Sequence, residues 1–201
     1  MGLLLALALA LLPPAPAAED DALARVAAMV QRPALLRGRF VQQKHLAGFS
    51  KPLVSRGDFI VVRERGVLWH SREPFESILR LTREAIVETQ DGTVTFRLAA
   101  EGEPALGTLS TVLFAVLTGD VDRLEQHFQA TAEVDGSHWR LHLEPRGPAL
   151  GAFLRRIELA GGAHVERVQI AEANGDRSEI ELRELVTEPA QLSAEETARF
   201  E

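Results

Sequence analysis

The chain has 201 residues, of which 46% are hydrophobic and 25% charged, and its formal net charge is −7. This is an ordinary globular composition, with length for one domain and a sizeable core. The acidic balance excludes a nucleic-acid groove, which needs clustered Lys and Arg against phosphate, and the pair Arg155-Arg156 stands isolated.

Leu3 to Leu12 form an unbroken apolar run, followed by Pro13, Pro14 and the small residues Ala15, Ala17 and Ala18. A membrane-spanning helix needs about 20 apolar residues, so this run is too short to anchor the chain. It reads as the core of a signal peptide over residues 1–17, leaving 18–201 as one mature domain, although no Lys or Arg precedes it. A buried N-terminal helix is the other reading. The chain has no cysteine. No disulfide therefore braces the exported domain, and no thiol is there to be acylated. The expectation is a soluble, untethered, monomeric protein of the periplasm.

Asp20 to Gln31 reads as a short helix, with Leu23, Val26, Ala27 and Val30 at helical spacing and Pro33 beyond its end. From Leu35 the period changes to two. Strands are expected near 35–46, 53–63, 66–71, 77–82, 85–89 and 93–98, separated by turn signals such as Arg65-Gly66, Glu73-Pro74 and Asp91-Gly92. The intervals leave no room for crossover helices, so pairing should be antiparallel.

Pro104 to Thr118 breaks the rhythm. Leu106, Leu109, Leu113 and Val116 recur at helical spacing, and Val112, Phe114, Ala115 and Leu117 fill the other faces. A helix apolar on all sides must be covered on all sides. Gly119-Asp120 closes it, Val121 to Gln126 adds a second helical turn, and strands resume near 127–134, 137–144, 152–160, 163–172 and 177–186. The tail from Pro189 to Glu201 is polar and reads as loosely held. About eleven strands with helices at two points suit one strongly curved sheet covered by helices.

Gly38-Arg39-Phe40-Val41-Gln42-Gln43-Lys44 resembles the first strand of the LolA family of outer-membrane lipoprotein carriers. Gly57-Asp58-Phe59, Arg63, Leu68-Trp69-His70, Pro74 and Glu76-Ser77-Ile78-Leu79 follow in that family's order and spacing, and Asp176-Arg177-Ser178 continues the likeness. The resemblance implies a mainly β fold, an incompletely closed antiparallel β-barrel with a helical lid. It implies a carrier of acyl chains that accepts a lipoprotein from an inner-membrane ABC transporter and delivers it to an outer-membrane receptor lipoprotein. It also implies that Arg63 holds the lid shut over an empty cavity, for which the candidate lining residues of this chain are Phe40, Phe59, Val61, Trp69, Leu79, Leu81, Leu109, Leu113 and Leu117. Fewer aromatic and Met residues than the family often carries, and the Leu46-Ala47-Gly48-Phe49 segment before Pro52, bring the chain closer to divergent relatives that accompany clusters for polyene pigments or unusual lipids. A carrier or sensor of a non-protein lipid or polyene product is therefore the alternative.

The residues read the same way on their own chemistry. Alternation puts Phe59, Val61 and Arg63 on one strand face, where a guanidinium needs carbonyl acceptors or water at the strand end. Trp69 either lines a cavity or fills the core, and Leu109, Leu113 and Leu117 either cover a cavity or form an ordinary core helix. Each buried CH₂ contributes about 0.8 kcal/mol, so a long acyl chain gains on the order of 10 kcal/mol inside. A lid that covers the empty cavity with its own apolar side chains lets such cargo leave by competition. No cofactor, metal site or catalytic group is expected. His138 and His142 would lie about 13 Å apart along a strand, too far for one ion. No Gly-x-Ser-x-Gly elbow, phosphate-cradling loop or thiol supports an esterase-like enzyme.

Overall fold

The computed structural model describes residues 17–63, 65–82, 84–99 and 104–200, with backbone only for 17–20 and 104–110. The expected signal peptide falls almost wholly outside the described residues. Eleven strands form one antiparallel sheet: β1 (Leu35–His45), β2 (Leu53–Val62), β3 (Gly66–Glu73), β4 (Ser77–Leu81), β5 (Ala85–Gln90), β6 (Thr93–Ala99), β7 (Phe128–Asp135), β8 (His138–Pro145), β9 (Leu154–Gly161), β10 (Val165–Glu172) and β11 (Arg177–Val186). Their spatial order is β6-β5-β4-β3-β2-β1-β11-β10-β9-β8-β7. The chain thus runs outward from the middle to one edge, crosses to the other, and returns to pair β11 with β1. The edges β6 and β7 do not pair, so the barrel is incompletely closed.

Short turns set this meander. At the β5–β6 turn Asp91 and Gly92 take φ of 49° and 73°, the left-handed pair whose twist suits a tight hairpin. Alternation then sorts the side chains. Leu36, Phe40, Phe59, Val61, Val67, Leu81, Ile86, Leu141, Leu143, Leu159 and Val168 belong to one large buried cluster on the inner face. His138 and His142 project from the opposite face to Trp139, Leu141 and Leu143, with His138 exposed. Among the described residues no three His, Asp or Glu side chains gather as a metal site.

The helices fill the inside of one half. α1 (Ala17–Met29) packs on β7, α2 (Pro104–Thr118) on β10, and α3 (Val121–Glu125) on β7 and both other helices. Gly119, at φ 62°, ends α2. The Asp120 N–H donates to the Ala115 carbonyl at 2.9 Å, a wrap that satisfies one of the last carbonyls of the helix. A Cβ at Gly119 would lie 2.8 Å from Val30 Cγ1, so the same residue sets how closely α1 and α2 approach.

Two short helices were not legible in the sequence: α4 (Pro148–Gly151) and α5 (Ala194–Arg199). The second overturns the expectation of a loose tail. Leu192 and Phe200 pack on a separate buried cluster of Leu35, Ile60 and Leu68 on the outer face. Ser193 and Glu196 cap α5 reciprocally. Arg37 fixes it, donating from Nε and Nη2 to the Glu196 carboxylate at 2.7 and 2.8 Å, and to the carbonyls of Pro189 and Gln191. Arg80 adds a bond to the Phe200 carbonyl.

The hydrogen bonds from Arg37 hold the Glu196 carboxyl at about 2, well below the usual carboxylate range, against the opposing effect of burial. Because the folded value is depressed, this contribution is complete above the unfolded value, near 4.3, and is lost as pH falls toward 2. Amide protection factors over 192–200, with the intrinsic pH dependence of exchange divided out, should fall as pH drops through that window and stay flat above it. Arg37→Ala should remove the dependence and lower stability by about 2 kcal/mol, measurable in urea, through its lost charged hydrogen bonds. An unchanged exchange profile in that variant would show that the apolar contacts alone dock the tail.

Candidate functional site

Gly38-Arg39-Phe40 and Gly57-Asp58-Phe59 meet on adjacent strands. β1 and β2 pair with Gly38 opposite Phe59 and Phe40 opposite Gly57. Each ring therefore lies across a glycine. A Cβ at Gly38 would sit 2.7 Å from the Phe59 ring, and one at Gly57 would sit 2.8 Å from the Phe40 ring. Trp69, opposite Phe59 on β3, completes the group. Its ring centroid is 3.9 Å from that of Phe40 and 5.7 Å from that of Phe59, both stacked.

Of the sequence-selected residues, Phe40, Phe59, Val61 and Leu81 are buried in the inner cluster, and Trp69, Leu79, Leu113 and Leu117 pack half-buried against it. The structure thus brings eight of them onto one continuous surface. The side chain of Leu109 lies outside the described residues. Two further residues belong here: Leu98, half-buried opposite Ile86, and Phe96, 45% exposed opposite Glu88. Alternation along β6 carried that signal, because Phe96 and Leu98 share one face with Leu79 and Leu81 through β5.

The two halves of the inner face differ. Under the helices, Phe128, Leu141, Leu143 and Leu159 are fully buried. Toward the β6 edge, Trp69, Leu79, Leu98 and Phe96 keep part of their apolar surface accessible. Helix α2 has the same two aspects, with Val112, Ala115 and Val116 buried and Leu113, Phe114 and Leu117 half-buried. It carries no charged residue along its length. Half-covered apolar surface on both a sheet and its covering helix is what an apolar ligand fills.

Beside the C-terminal turn of α2 is a cleft of about 190 Å³, floored by Leu36, Val61 and Val165 and edged by Phe114 and Leu117. Arg32, Arg63, Asp120 and Arg123 form its polar margin. Asp120 pairs with Arg32 at 3.5 Å and Arg123 at 3.2 Å. Arg63 differs from its expected position. β2 ends at Val62, and Arg63 stands exposed in the β2–β3 turn, its N–H bonded to the Ala34 carbonyl at 3.0 Å. It faces the α2 terminus across the cleft and makes no described side-chain hydrogen bond to it. Gly66, at φ 136°, opens β3 beyond this turn and passes so close to the Leu81 carbonyl that a Cβ would sit 2.0 Å from its oxygen.

No curated protein matches the sequence. Among solved structures, a DUF1329 family protein from Desulfovibrio piger aligns over 92% of this chain and 96% of its own, at 12% identity and a TM-score of 0.51, a likeness of fold. A LolA superfamily protein from Nitrosomonas europaea aligns over 83% and 92% at 9% identity and a TM-score of 0.44. A putative outer membrane lipoprotein-sorting protein domain from Vibrio parahaemolyticus aligns over 90% and 98% at 7% identity and a TM-score of 0.48. The family model described as outer membrane lipoprotein carrier protein LolA-like matches residues 14–199, nearly the whole chain. With its open eleven-stranded barrel and helical cover, the chain belongs to that LolA-like family.

Proposed function

We propose that this protein is a periplasmic carrier that takes up an acyl chain between the half-covered inner face of β3–β6 and helix α2. In this reading it carries a lipoprotein or a related acylated product from an inner-membrane ABC transporter to an outer-membrane receptor. The observation that carries the proposal is the accessible apolar surface of Trp69, Leu79, Phe96 and Leu98 on one inner wall, together with half-buried apolar residues on the uncharged helix α2 that border the same core. Family membership supports it. No described helix is long and apolar enough to cross a membrane. Each methylene that enters gains about 0.8 kcal/mol, and the half-buried Leu113, Phe114 and Leu117 recover part of that surface when cargo leaves.

Native mass spectrometry of the protein isolated from its own periplasm tests the reading. A bound acylated protein supports lipoprotein transfer, and a bound polyene or glycerolipid supports the small-product role. An empty protein that also fails to bind a fluorescent fatty acid would remove the carrier function altogether.

Arg63 is the proposed gate. It lines the same cleft as the last turn of α2, whose terminal carbonyls are natural acceptors for a guanidinium when the lid closes. Arg63→Leu should fold with stability within about 0.5 kcal/mol of the parent, as for other exposed positions. It should take up cargo and fail to release it, read as transfer of a fluorescent acylated protein to acceptor vesicles. Normal transfer would take Arg63 out of the gate.

A further inference from the structure

The antiparallel order brings the β1–β2, β3–β4, β5–β6, β8–β9 and β10–β11 connections to one rim of the sheet. Three of these carry a phenylalanine turned into solvent: Phe49 is 72% exposed, Phe75 72% and Phe153 69%. The turns of the opposite rim carry no exposed phenylalanine among the described residues. Strand spacing sets the three tips across roughly 25 Å of the rim, a row of separate points. Around Phe153, Pro148, Ala149, Gly151 and Ala152 are also exposed, and no charge interrupts 147–153.

These tips are held in place. The Ala47 N–H donates to Asp176 Oδ1 at 2.9 Å, and the Ala173 N–H donates to the Phe153 carbonyl at 2.9 Å, so two loops lean on the β10–β11 turn from either side. Glu76, next to Phe75, bonds His70 Nε2 at 2.9 Å. A rigid apolar tip loses little freedom on meeting a surface.

The charge around them is of both signs but unevenly paired. Glu172 and Asp176 pair with Lys44, Glu73 with Arg56 and Glu76 with His70, while Asp91 and Glu144 stand exposed on the same rim. Lys51 has no carboxylate partner among the described residues, and Arg146 and Arg155 donate to backbone carbonyls instead. On a chain of net charge −7, this rim pairs exposed phenylalanines with unneutralised cations.

We propose that this rim docks on an anionic phospholipid bilayer, with Phe49, Phe75 and Phe153 entering the boundary between headgroups and acyl chains. Lys51, Arg146 and Arg155 then face lipid phosphates. Spaced apolar tips with nearby cations match a flat, negatively charged interface. They match a second copy of this chain poorly, since the tips form no continuous patch of the kind a dimer interface buries. The proposal stands apart from the carrier reading, because docking needs no cargo.

The test is flotation of the purified protein with vesicles of phosphatidylcholine alone or with a third phosphatidylglycerol, at low and high salt. Binding to the anionic vesicles, weakened by salt, is the expected result. Replacing all three phenylalanines by serine should lower partitioning roughly a thousandfold, each ring supplying about a factor of ten. Lys51→Gln with Arg155→Gln should weaken binding to anionic vesicles only. Circular dichroism should show both variants folded, since every changed side chain is exposed. No binding by the parent protein, or unchanged binding by the serine variant, overturns the proposal. So does a parent dimer in sedimentation velocity that the serine variant converts to monomer, which would assign the rim to a second copy.

Discussion

Gly57→Ala is expected to destabilise the fold by about 3 kcal/mol or more, the upper range for overpacking a tight interior. An added Cβ would sit 1.9 Å from the His70 carbonyl oxygen, a backbone atom of the neighbouring strand. A side chain could rotate away, but this oxygen can move only by separating β2 from β3. The same Cβ would press on the Phe40 ring at 2.8 Å, against its stack with Trp69. Urea unfolding monitored by tryptophan fluorescence measures the loss. Gly147→Ala is the control: nothing lies within 4 Å of its Cβ and its φ is −141°, so a change within about 0.5 kcal/mol is expected. Equal stability of the two variants would show that β2 and β3 separate freely there.

Trp69→Ala should have the second-largest effect, combining lost stability with lost ligand binding. Its ring stacks on Phe40 and Phe59, and half-burial leaves part of it facing the accessible inner surface. Truncation should cost about 3 kcal/mol, the low end for a large aromatic. The variant should also bind a fluorescent fatty acid at least tenfold more weakly, as loss of a large apolar contact implies. A Trp139→Phe background isolates the signal, because Trp139 is the other tryptophan and is buried, with Nε1 donating to the Gly162 carbonyl at 2.7 Å. In that background, acyl-chain binding should shift Trp69 emission to the blue. An unshifted spectrum on saturation would place the ligand elsewhere.

Much of the fold was legible because the inner face obeys a strict period of two. Each of the eleven expected strands is present, and the uncharged helix runs over Pro104–Thr118 as its spacing indicated. The docked tail was not legible, since Leu192 and Phe200 stand eight positions apart in a polar segment. Yet a clue lay elsewhere. Phe59-Ile60-Val61-Val62 and Val67-Leu68-Trp69 are apolar without alternation, the pattern of strands covered on both faces. Ile60 and Leu68 point outward and need the cover that α5 brings. Arg63 falls one residue past the end of β2, because the apolar run Phe59–Val62 ends beside it and the turn signal Arg65-Gly66 does not fix which residue opens the turn. The apolar wall toward Phe96 escaped notice because exposure at a sheet edge depends on which strands pair, a fact absent from any single segment.

Helices α2 and α3 lie, in the chain, between the two strands that fail to pair, β6 and β7. The cover is therefore also the strap that joins the two free edges of the barrel. A helix hinged at one end could swing without disturbing the wall, but a strap fastened to both edges cannot. A displacement of α2 that admits a bulky guest is connected along the chain to β6 on one side and, through α3, to β7 on the other, which couples the position of the cover to the girth of the container. A guest thus sets its own clearance, and chains of different length or thickness can be held by the same wall with the strap taken up to different extents.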